Sequence, residues 1–221
     1  MKLTIIAATG GVGRQLLEQA LDAGHDVTTV VRNPRKLSRE VHAVTTDLTA
    51  PEPAALEAAI AGTDAVLSGL GPHSNSDAGV ASRGTRAIVA AMRATNVRRV
   101  VAISAGPVST LPSPGRPNPP KHDPGDGFFM RYLFGPFARA RFRKVYDDLV
   151  QMEDILAGSG LDWTVVRPQQ MTDKPATGTY RTAYGQNIRG GWTVPRADVA
   201  HLMLRVLGQP ETIHRVIGIA S

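Results

Sequence analysis

Residues 1–13 read MKLTIIAATGGVG, and this stretch decides the fold. An apolar run over residues 3–8 leads directly into a glycine-rich turn, and residues 14–21 repeat apolar side chains at helical spacing. The pattern predicts a strand, a tight turn and a helix whose N-terminal N–H groups favour an anion such as a pyrophosphate. A turn that binds no ligand would have the same glycines. A second predicted strand over residues 25–31 closes a βαβ unit and favours a dinucleotide site.

The end of the second strand indicates which dinucleotide binds. An NAD site usually has Asp or Glu here to hold the ribose hydroxyls, whereas this chain has Arg32. A guanidinium group suits the 2′-phosphate of NADP. A charge-assisted hydrogen bond contributes about 1.5–3 kcal/mol, which corresponds to a preference for NADPH over NADH of roughly 10- to 150-fold. The alternative is a basic turn that is only solvated.

The composition limits the class of protein. The chain has 221 residues and no cysteine, which excludes disulfides, thiolate metal sites and a cysteine nucleophile. A net charge of +6 favours anionic ligands. Apolar runs stay below membrane-spanning length, and the N-terminus has the pattern of a strand and not of a signal peptide. We therefore expect a cytoplasmic protein, a monomer or homodimer, that has no membrane span, binds no nucleic acid and needs no metal.

Strands and helices alternate along most of the chain. Further strands are predicted over residues 43–46, 64–72, 98–103, 163–168 and 215–220, with a strand or ribbon over 180–188, and helices over 51–60, 75–96, 146–157 and 197–207. This alternation predicts an α/β fold: a Rossmann-type, doubly wound parallel sheet with helices on both faces, forming a single domain over residues 1–221.

Candidate ligand residues fall at the carboxyl ends of the predicted strands, which is the edge where such sheets bind ligands. Asp47 can accept from an adenine amino group, although a turn aspartate is equally consistent with the sequence. Glycines after the fourth strand allow close approach of a cofactor. Together these ends predict a cofactor crevice formed by Thr9, Gly10, Gly11, Val12, Gly13, Arg32, Asp47, Leu48, Gly69, Leu70, Gly71 and Ser104.

Six prolines between Pro112 and Pro124 interrupt the alternation, so residues 110–126 are predicted to form a loop. A loop of this length is usually a lid, an interface or disordered, and we expect an insertion or lid at about residues 107–140. A basic aromatic segment, residues 128–144, follows. Its composition could fit a nucleic acid or a membrane surface, but we favour a helix that buries its aromatic rings or lines a substrate pocket. The candidate pocket residues are Phe129, Met130, Tyr132 and Gln170.

Six segments together resemble the NmrA-like, atypical short-chain dehydrogenase family, and especially its NADPH-dependent flavin reductase (biliverdin reductase B) branch. They read AATGGVG, VVRNP, TTDL, GTRAIVAAMRATNVRRVVAISA, SGLDWTVVRPQQMTDKPATGTY and RADVAHLMLRVL. The resemblance covers nearly the whole chain except the Pro-rich loop and the basic aromatic segment. It implies a Rossmann fold that binds NADP(H).

The resemblance also implies roles for individual residues. It assigns Gly10 and Gly13 to the phosphate loop, Arg32 to the 2′-phosphate, and Asp47 with Leu48 to the adenine. It assigns Ser104 to the side of the nicotinamide, and Pro168 and Gln169 to the segment beneath it, where the branch has a histidine in place of Gln169.

Two departures from the family pattern affect the predicted chemistry. The first glycine of its GxxGxxG motif is Ala7 here; that position often has ordinary strand angles, so we expect binding to survive. The Tyr-x-x-x-Lys acid is missing, since the residues four places after the tyrosines are Pro136, Val150, Tyr184 and Ile188. Reduction of a ketone needs such a proton donor, whereas a reduced flavin or quinone is a stabilised anion that water can protonate.

The leading hypothesis is therefore an NADPH-dependent reductase that transfers hydride to a flat conjugated acceptor: a flavin, a quinone or a tetrapyrrole-like molecule. In this hypothesis Ser104 donates a hydrogen bond to the carboxamide or to the acceptor. One alternative is a non-catalytic, NADP-sensing regulator. Another is a biosynthetic ketoreductase or isomerase that uses Tyr146 or Ser104. A sensor can block the nicotinamide half of the site, while an enzyme must leave room for an acceptor.

Overall fold

The computed structural model describes residues 1–72, 74–128 and 130–221. Its strands are β1 (Lys2–Ile6), β2 (Asp26–Val31), β3 (His42–Thr45), β4 (Ala65–Ser68), β5 (Arg99–Ile103), β6 (Asp162–Pro168), β7 (Gln170–Thr172), β8 (Arg181–Tyr184), β9 (Thr193–Pro195) and β10 (Arg215–Ala220). Its helices are α1 (Gly11–Asp22), α2 (Pro53–Ile60), α3 (Val80–Ala94), α4 (Gly135–Arg141), α5 (Arg143–Ala157) and α6 (Arg196–Arg205).

Eight strands form one sheet in the order β3-β2-β1-β4-β5-β6-β10-β8. Seven of them run parallel, and β8 pairs antiparallel with β10 at one edge. The chain moves outward from β1 to β3 and then returns to place β4 on the other side of β1. Ligands bind at such a reversal of strand order, outside the carboxyl ends of the strands. The predicted doubly wound parallel sheet is confirmed.

Helices cover both faces of the sheet, and each face has its own apolar core. Successive side chains of β1 show why: Ile5 packs in the core beneath α1 and α6, and Ile6 packs in the core beneath α2, α3 and α5. Both side chains are fully buried. Because parallel strands are covered on both faces, they are apolar at consecutive positions instead of alternate ones.

Three segments differ from the sequence-based expectation. Helix α3 begins at Val80 and not near residue 75, because a short 3₁₀ turn and Gly79, with φ of 96°, precede it. Between the strands predicted over 163–168 and 180–188, the structure has an additional strand, β7, which pairs in parallel with the distant β9. The basic aromatic segment contains a π-helical turn over Met130–Phe134, followed by α4. Among the described residues, none of the helices combines the length and apolarity that crossing a membrane requires.

Candidate functional site

The turn after β1 brings the first strand and the first helix into backbone contact. The amide of Gly10 donates to the carbonyl oxygen of Ala7 at 2.9 Å, and Arg14 donates to Gly10 at 2.8 Å. A Cβ atom on Gly13 would lie 2.1 Å from the same Ala7 oxygen. A Cβ atom on Gly69, after β4, would lie 2.9 Å from the Gly13 nitrogen. Only glycine fits at these contacts, which fix the N-terminus of α1 at the sheet edge.

Ala7 has a φ of +60°, in the left-handed region that favours glycine. The expectation of ordinary strand angles at this position was therefore wrong. The chain must turn sharply here, because the Ala7 amide still donates to Val30 while its carbonyl oxygen already accepts from Gly10. An alanine in this conformation costs about 1–2 kcal/mol relative to a right-handed one. The glycine of the family pattern would avoid that cost.

A crevice of about 450 Å³ opens beside this turn, across the ends of β1, β2 and β4. Arg32 lines it at the end of β2, with Asp47 opposite at the end of β3. The predicted cofactor residues that line it are Thr9, Gly10, Arg32, Asp47, Leu48, Gly69, Leu70 and Gly71. Lys36 and Arg83 line it as well. The crevice thus carries three cations, as a phosphate-bearing ligand requires. The remaining loop residues, Gly11, Val12 and Gly13, are the first three residues of α1, and the last two are buried.

Asp47 closes a local turn in addition to facing the crevice. One of its carboxylate oxygens, Oδ1, accepts from both the amide and the hydroxyl of Thr49 at 2.9 Å. These two hydrogen bonds, together with the charge of Arg32, lower the pKa of Asp47. The carboxylate is therefore ionised at neutral pH and can accept hydrogen bonds through its second oxygen. The adenine contact of Asp47 stays a prediction.

The residues predicted at the nicotinamide end lie apart from this crevice and are buried. Ser104 is 5% exposed, Gln169 is 9% exposed, and Pro168 is also buried. The hydroxyl of Ser104 donates to Oε1 of Glu153 on α5 at 2.6 Å. Since a serine hydroxyl has one proton, Ser104 can only accept a further hydrogen bond while this contact lasts. The structure therefore contradicts the expectation that Ser104 donates to the cofactor or acceptor.

Glu153 also forms a two-point ion pair with Arg167 of β6. The Arg167 Nε atom donates to Oε1 of Glu153 at 2.8 Å, and Nη2 donates to the second oxygen. The side chains of Arg167 and Glu153 are only 4% and 12% exposed. Such a planar, two-point contact fixes the orientation of the carboxylate as well as its charge. Serine, glutamate and arginine thus form one rigid polar cluster at the ends of β5 and β6.

The Pro-rich loop is attached to the domain at two places. Ser113 and the Gly115 amide donate to the Asp154 carboxylate, at 2.8 and 3.0 Å. Further along, Asp123 accepts from the Asn187 amide at 2.8 Å, and Asp126 accepts from the Asn187 side chain at 2.9 Å.

The second attachment lies near the residues that are predicted at the nicotinamide end. A Cβ atom on Gly106 would lie 2.9 Å from Oδ1 of Asn187 and 3.1 Å from Oε1 of Gln169, so these three residues touch. Burial raises the pKa of Asp126 in this region. The hydrogen bond from Asn187 acts in the opposite direction but is the smaller effect. Through Asn187 the loop thus reaches Gly106, which touches Gln169, one of the residues that are predicted beneath the nicotinamide.

The four candidate pocket residues do not form a described pocket. Tyr132 is 57% exposed, and its ring contacts His122 and Phe128. Gln170 is exposed on β7. Phe129 lies outside the described residues, as does the side chain of Met130. The expectation that the segment buries its aromatic rings was wrong for the described ones, since Phe128 and Phe137 are 73% and 70% exposed.

Comparison with known proteins agrees with this geometry. The model of the NAD(P)H-binding family matches residues 7–210. The chain belongs to this family. The match includes the glycine turn of residues 10–13, the crevice and the buried polar cluster. That this turn holds the pyrophosphate stays a prediction. The family does not distinguish NADH from NADPH.

Solved structures share the fold over the whole chain. A protein from Streptococcus pneumoniae provisionally assigned as an NADH-flavin reductase is 22% identical, with a TM-score of 0.75 over 100% of this chain and 99% of that one. The anaerobilin reductase ChuY of Escherichia coli O157:H7 is 21% identical, with a TM-score of 0.76 over 100% and 97%. A short-chain dehydrogenase/reductase of Veillonella parvula, solved with NADP, is 18% identical, with a TM-score of 0.76 over 100% and 94%.

Arg196 lies at the phosphate loop and was missed from the sequence. A Cβ atom on Gly11 would lie 2.7 Å from Cδ and Nε of Arg196, so the arginine crosses the first residue of α1. Its Nη1 donates to Asp173 at 2.6 Å. Arg196 is itself the first residue of α6, where the helix dipole disfavours a cation. That local mismatch is the sequence signal that could have drawn attention to it.

Two arginine substitutions test which phosphate group of the cofactor each arginine binds. We expect Arg32→Ala to weaken NADPH binding by roughly 10- to 150-fold and to leave NADH affinity nearly unchanged, because only NADPH has a 2′-phosphate. We expect Arg196→Ala to weaken both cofactors equally, by about tenfold or more, because both have the pyrophosphate. Titration calorimetry with each cofactor measures the four affinities. An equal loss of NADPH and NADH binding in Arg32→Ala would contradict the assignment of Arg32.

Proposed function

We propose that the protein is an NADPH-dependent reductase whose acceptor is flat and conjugated: a flavin, a quinone or a tetrapyrrole-like molecule. The observation that carries this proposal is the Ser104–Glu153–Arg167 cluster. It directs the hydroxyl proton of Ser104 away from a substrate. A ketone would need that proton at its forming alkoxide. A conjugated acceptor spreads the negative charge and takes its proton from water.

The residues of the chain bind and orient the cofactor. The N-terminus of α1 and Arg196 hold the pyrophosphate, and Arg32 holds the 2′-phosphate. When bound, the cofactor supplies the hydride. Ser104, fixed by Glu153, accepts a hydrogen bond from the carboxamide N–H group and thereby orients the nicotinamide ring. Pro168 and Gln169 would lie beneath the nicotinamide, as the family resemblance implies.

The Pro-rich loop acts as a lid over the nicotinamide end in this proposal. Its contacts with Asn187 cover Gly106 and Gln169, so an acceptor can enter only when the contacts made by Asp123 and Asp126 open. Closure would then exclude water during hydride transfer, and the reduced acceptor would take its proton from water once the loop opens. The insertion at about residues 107–140 is thus part of the site and not a separate domain.

The same coverage favours a second candidate, an NADP-sensing regulator. A sensor needs the cofactor but no acceptor, and the buried Ser104 and Gln169 fit a site with no room beside the nicotinamide. The reductase explains the cluster, whereas the sensor explains the covered end. The ketoreductase alternative is the weakest, because Ser104 is engaged and Tyr146 packs against Phe142 and the apolar core.

Turnover measurements distinguish these functions. Loss of nicotinamide absorbance is followed with NADPH and then NADH, using FMN, a small water-soluble quinone and a simple ketone as acceptors. We expect turnover with FMN or the quinone, a 10- to 150-fold higher kcat/KM for NADPH, and none with the ketone. Tight NADPH binding without turnover would support the sensor instead. Turnover of the ketone alone would overturn the reductase proposal.

A further inference from the structure

The basic aromatic segment, residues 128–144, forms an exposed apolar surface. Among the described residues, five of the eight large hydrophobic side chains that are exposed lie in or at the border of its helices: Phe128, Tyr132, Leu133, Phe137 and Phe142. Four of the five are more than half exposed. Contiguous exposed apolar side chains usually mark a surface that another molecule covers.

The segment is also strongly basic. It contains Arg131, Arg139, Arg141, Arg143 and Lys144 and no acidic residue, in a chain whose net charge is +6. The side chain of Arg143 is 83% exposed, with only a long 3.8 Å contact to Asp147. Cations and apolar side chains on one short helical segment are the combination that binds to the interface of an anionic lipid bilayer.

A second copy of the chain fits this surface poorly. A symmetric dimer would place the same patch of each copy against the other. The five cations of one copy would then face the five of its partner, and like charges across an interface oppose association. The charge therefore favours an anionic surface as the occupant.

The arrangement of the rings favours lipid over single-stranded nucleic acid. Base stacking needs open ring faces. Here Arg141 lies over the Phe142 ring, 5.2 Å from its centre. The rings of Phe128 and Tyr132 pack against each other at 5.0 Å, tilted by 50°. Leu133, 62% exposed, offers no stacking face at all. A bilayer interface can bury all these groups while the arginine stems reach the headgroups.

Two hydrogen bonds join this surface to the rim of the cofactor site. Nη1 of Arg139 donates to the Thr110 hydroxyl at 2.7 Å, in the turn that follows Ser104. On the other side, the Asn75 side chain donates to the Arg141 carbonyl at 3.0 Å. Asn75 precedes Ser76, which lines the crevice. The surface therefore borders both the Pro-rich loop and the crevice.

We propose that residues 128–144 dock the protein on an anionic lipid surface. The docked protein turns the Pro-rich loop and the nicotinamide end toward the bilayer. This orientation suits an acceptor that is dissolved in lipid, such as a quinone with an apolar tail. The use of such an acceptor rests on the proposed reductase function.

Vesicle sedimentation tests the docking surface. The full chain is mixed with phosphatidylcholine vesicles with or without phosphatidylglycerol, at low and at high salt. We expect binding only to the anionic vesicles and release at high salt. The triple variant Arg141→Gln, Arg143→Gln, Lys144→Gln should bind about 100-fold more weakly, and Phe137→Ser about tenfold more weakly. The control triple Lys2→Gln, Arg189→Gln, Arg215→Gln removes the same charge from other exposed positions and should bind nearly as well as the unmodified protein.

Three results of the binding measurements would overturn the proposal. They are no binding to anionic vesicles, equal losses in the two triple variants, and tighter binding to a single-stranded oligonucleotide with the same dependence on residues 141–144. A dimer in sedimentation velocity that Phe137→Ser converts to a monomer would also overturn it, because the surface would then be covered by a second copy. Circular dichroism and thermal unfolding of each variant check that it is folded.

A parallel assay separates this proposal from the reductase proposal. NADPH oxidation is measured with a water-soluble quinone and with a long-tailed quinone held in anionic vesicles. We expect the rate of NADPH oxidation by the triple variant at residues 141–144 to fall at least tenfold with the vesicle-held quinone and to stay unchanged with the water-soluble quinone. The loss follows from the weaker partitioning of this variant onto the vesicles. If no acceptor is reduced but vesicles are bound, the reductase proposal fails and the docking surface stands. If both quinones are reduced and vesicles are not bound, the docking proposal fails and the reductase proposal stands.

Discussion

Replacing Gly13 with alanine will abolish measurable NADPH binding and destabilise the domain. The new Cβ atom would lie 2.1 Å from the carbonyl oxygen of Ala7 and 2.8 Å from its carbonyl carbon, both backbone atoms that cannot rotate away. Overpacking of this kind costs about 3 kcal/mol. The strained turn would also move the N–H groups that hold the pyrophosphate. Losing two charge-assisted hydrogen bonds lowers the affinity by about 100-fold or more.

Urea unfolding and cofactor titration of the same samples measure both effects. Gly10→Ala provides a graded comparison, because its Cβ atom would lie 3.3 Å from the same Ala7 oxygen and needs only a small shift. Gly71→Ala is the control for stability, since a Cβ atom there meets nothing within 4 Å. If Gly13→Ala bound NADPH as tightly as the unmodified protein, the turn after β1 would not be the pyrophosphate site.

Replacing Glu153 with glutamine will destabilise the protein by about 3–5 kcal/mol, because it leaves the buried guanidinium of Arg167 without its counter-charge. Arg167 is only 4% exposed and cannot reach water without moving β6. The Ser104 hydroxyl would also lose its charged acceptor. Chemical denaturation with matched buffers measures the change in the free energy of unfolding.

The exposed ion pair between Arg39 and Asp22 provides the matched control. Its side chains are 48% and 66% exposed, so Asp22→Asn should change stability by less than about 1 kcal/mol. The double variant Glu153→Leu, Arg167→Met should be more stable than Glu153→Leu alone, because no charge is then left buried. Equal small effects of Glu153→Gln and Asp22→Asn would contradict the view that the cluster is a buried ion pair.

Much of the fold could be predicted because it depends on local patterns. Consecutive apolar residues such as Ile5 and Ile6 indicate a strand covered on both faces, and the alternation of strands with amphipathic helices indicates a parallel sheet. A chain that connects parallel strands through helices has little freedom in handedness or order. Consequently the carboxyl ends that carry Arg32 and Asp47 meet at one edge, as predicted.

The errors arose where a side chain's partner is distant in sequence. Ser104 was expected to donate to a ligand, but its hydroxyl donates instead to Glu153, on a helix nearly fifty residues later. The aromatic rings after the Pro-rich loop were expected to be buried, but the apolar core beneath α2, α3 and α5 is already filled by other side chains. The exposed Phe137 shows that apolar composition alone does not determine burial.

The sequence by itself determined the Rossmann-type sheet, the glycine turn at residues 10–13 and the basic end of β2, because each depends on residues that are neighbours in the chain. Only the tertiary structure decided the left-handed backbone at Ala7, the position of Arg196 across Gly11 and the attachment of the Pro-rich loop to Asn187. Those features join residues that lie up to 185 positions apart. No periodicity or motif encodes such contacts, since they form only when the sheet brings the ends of its strands together.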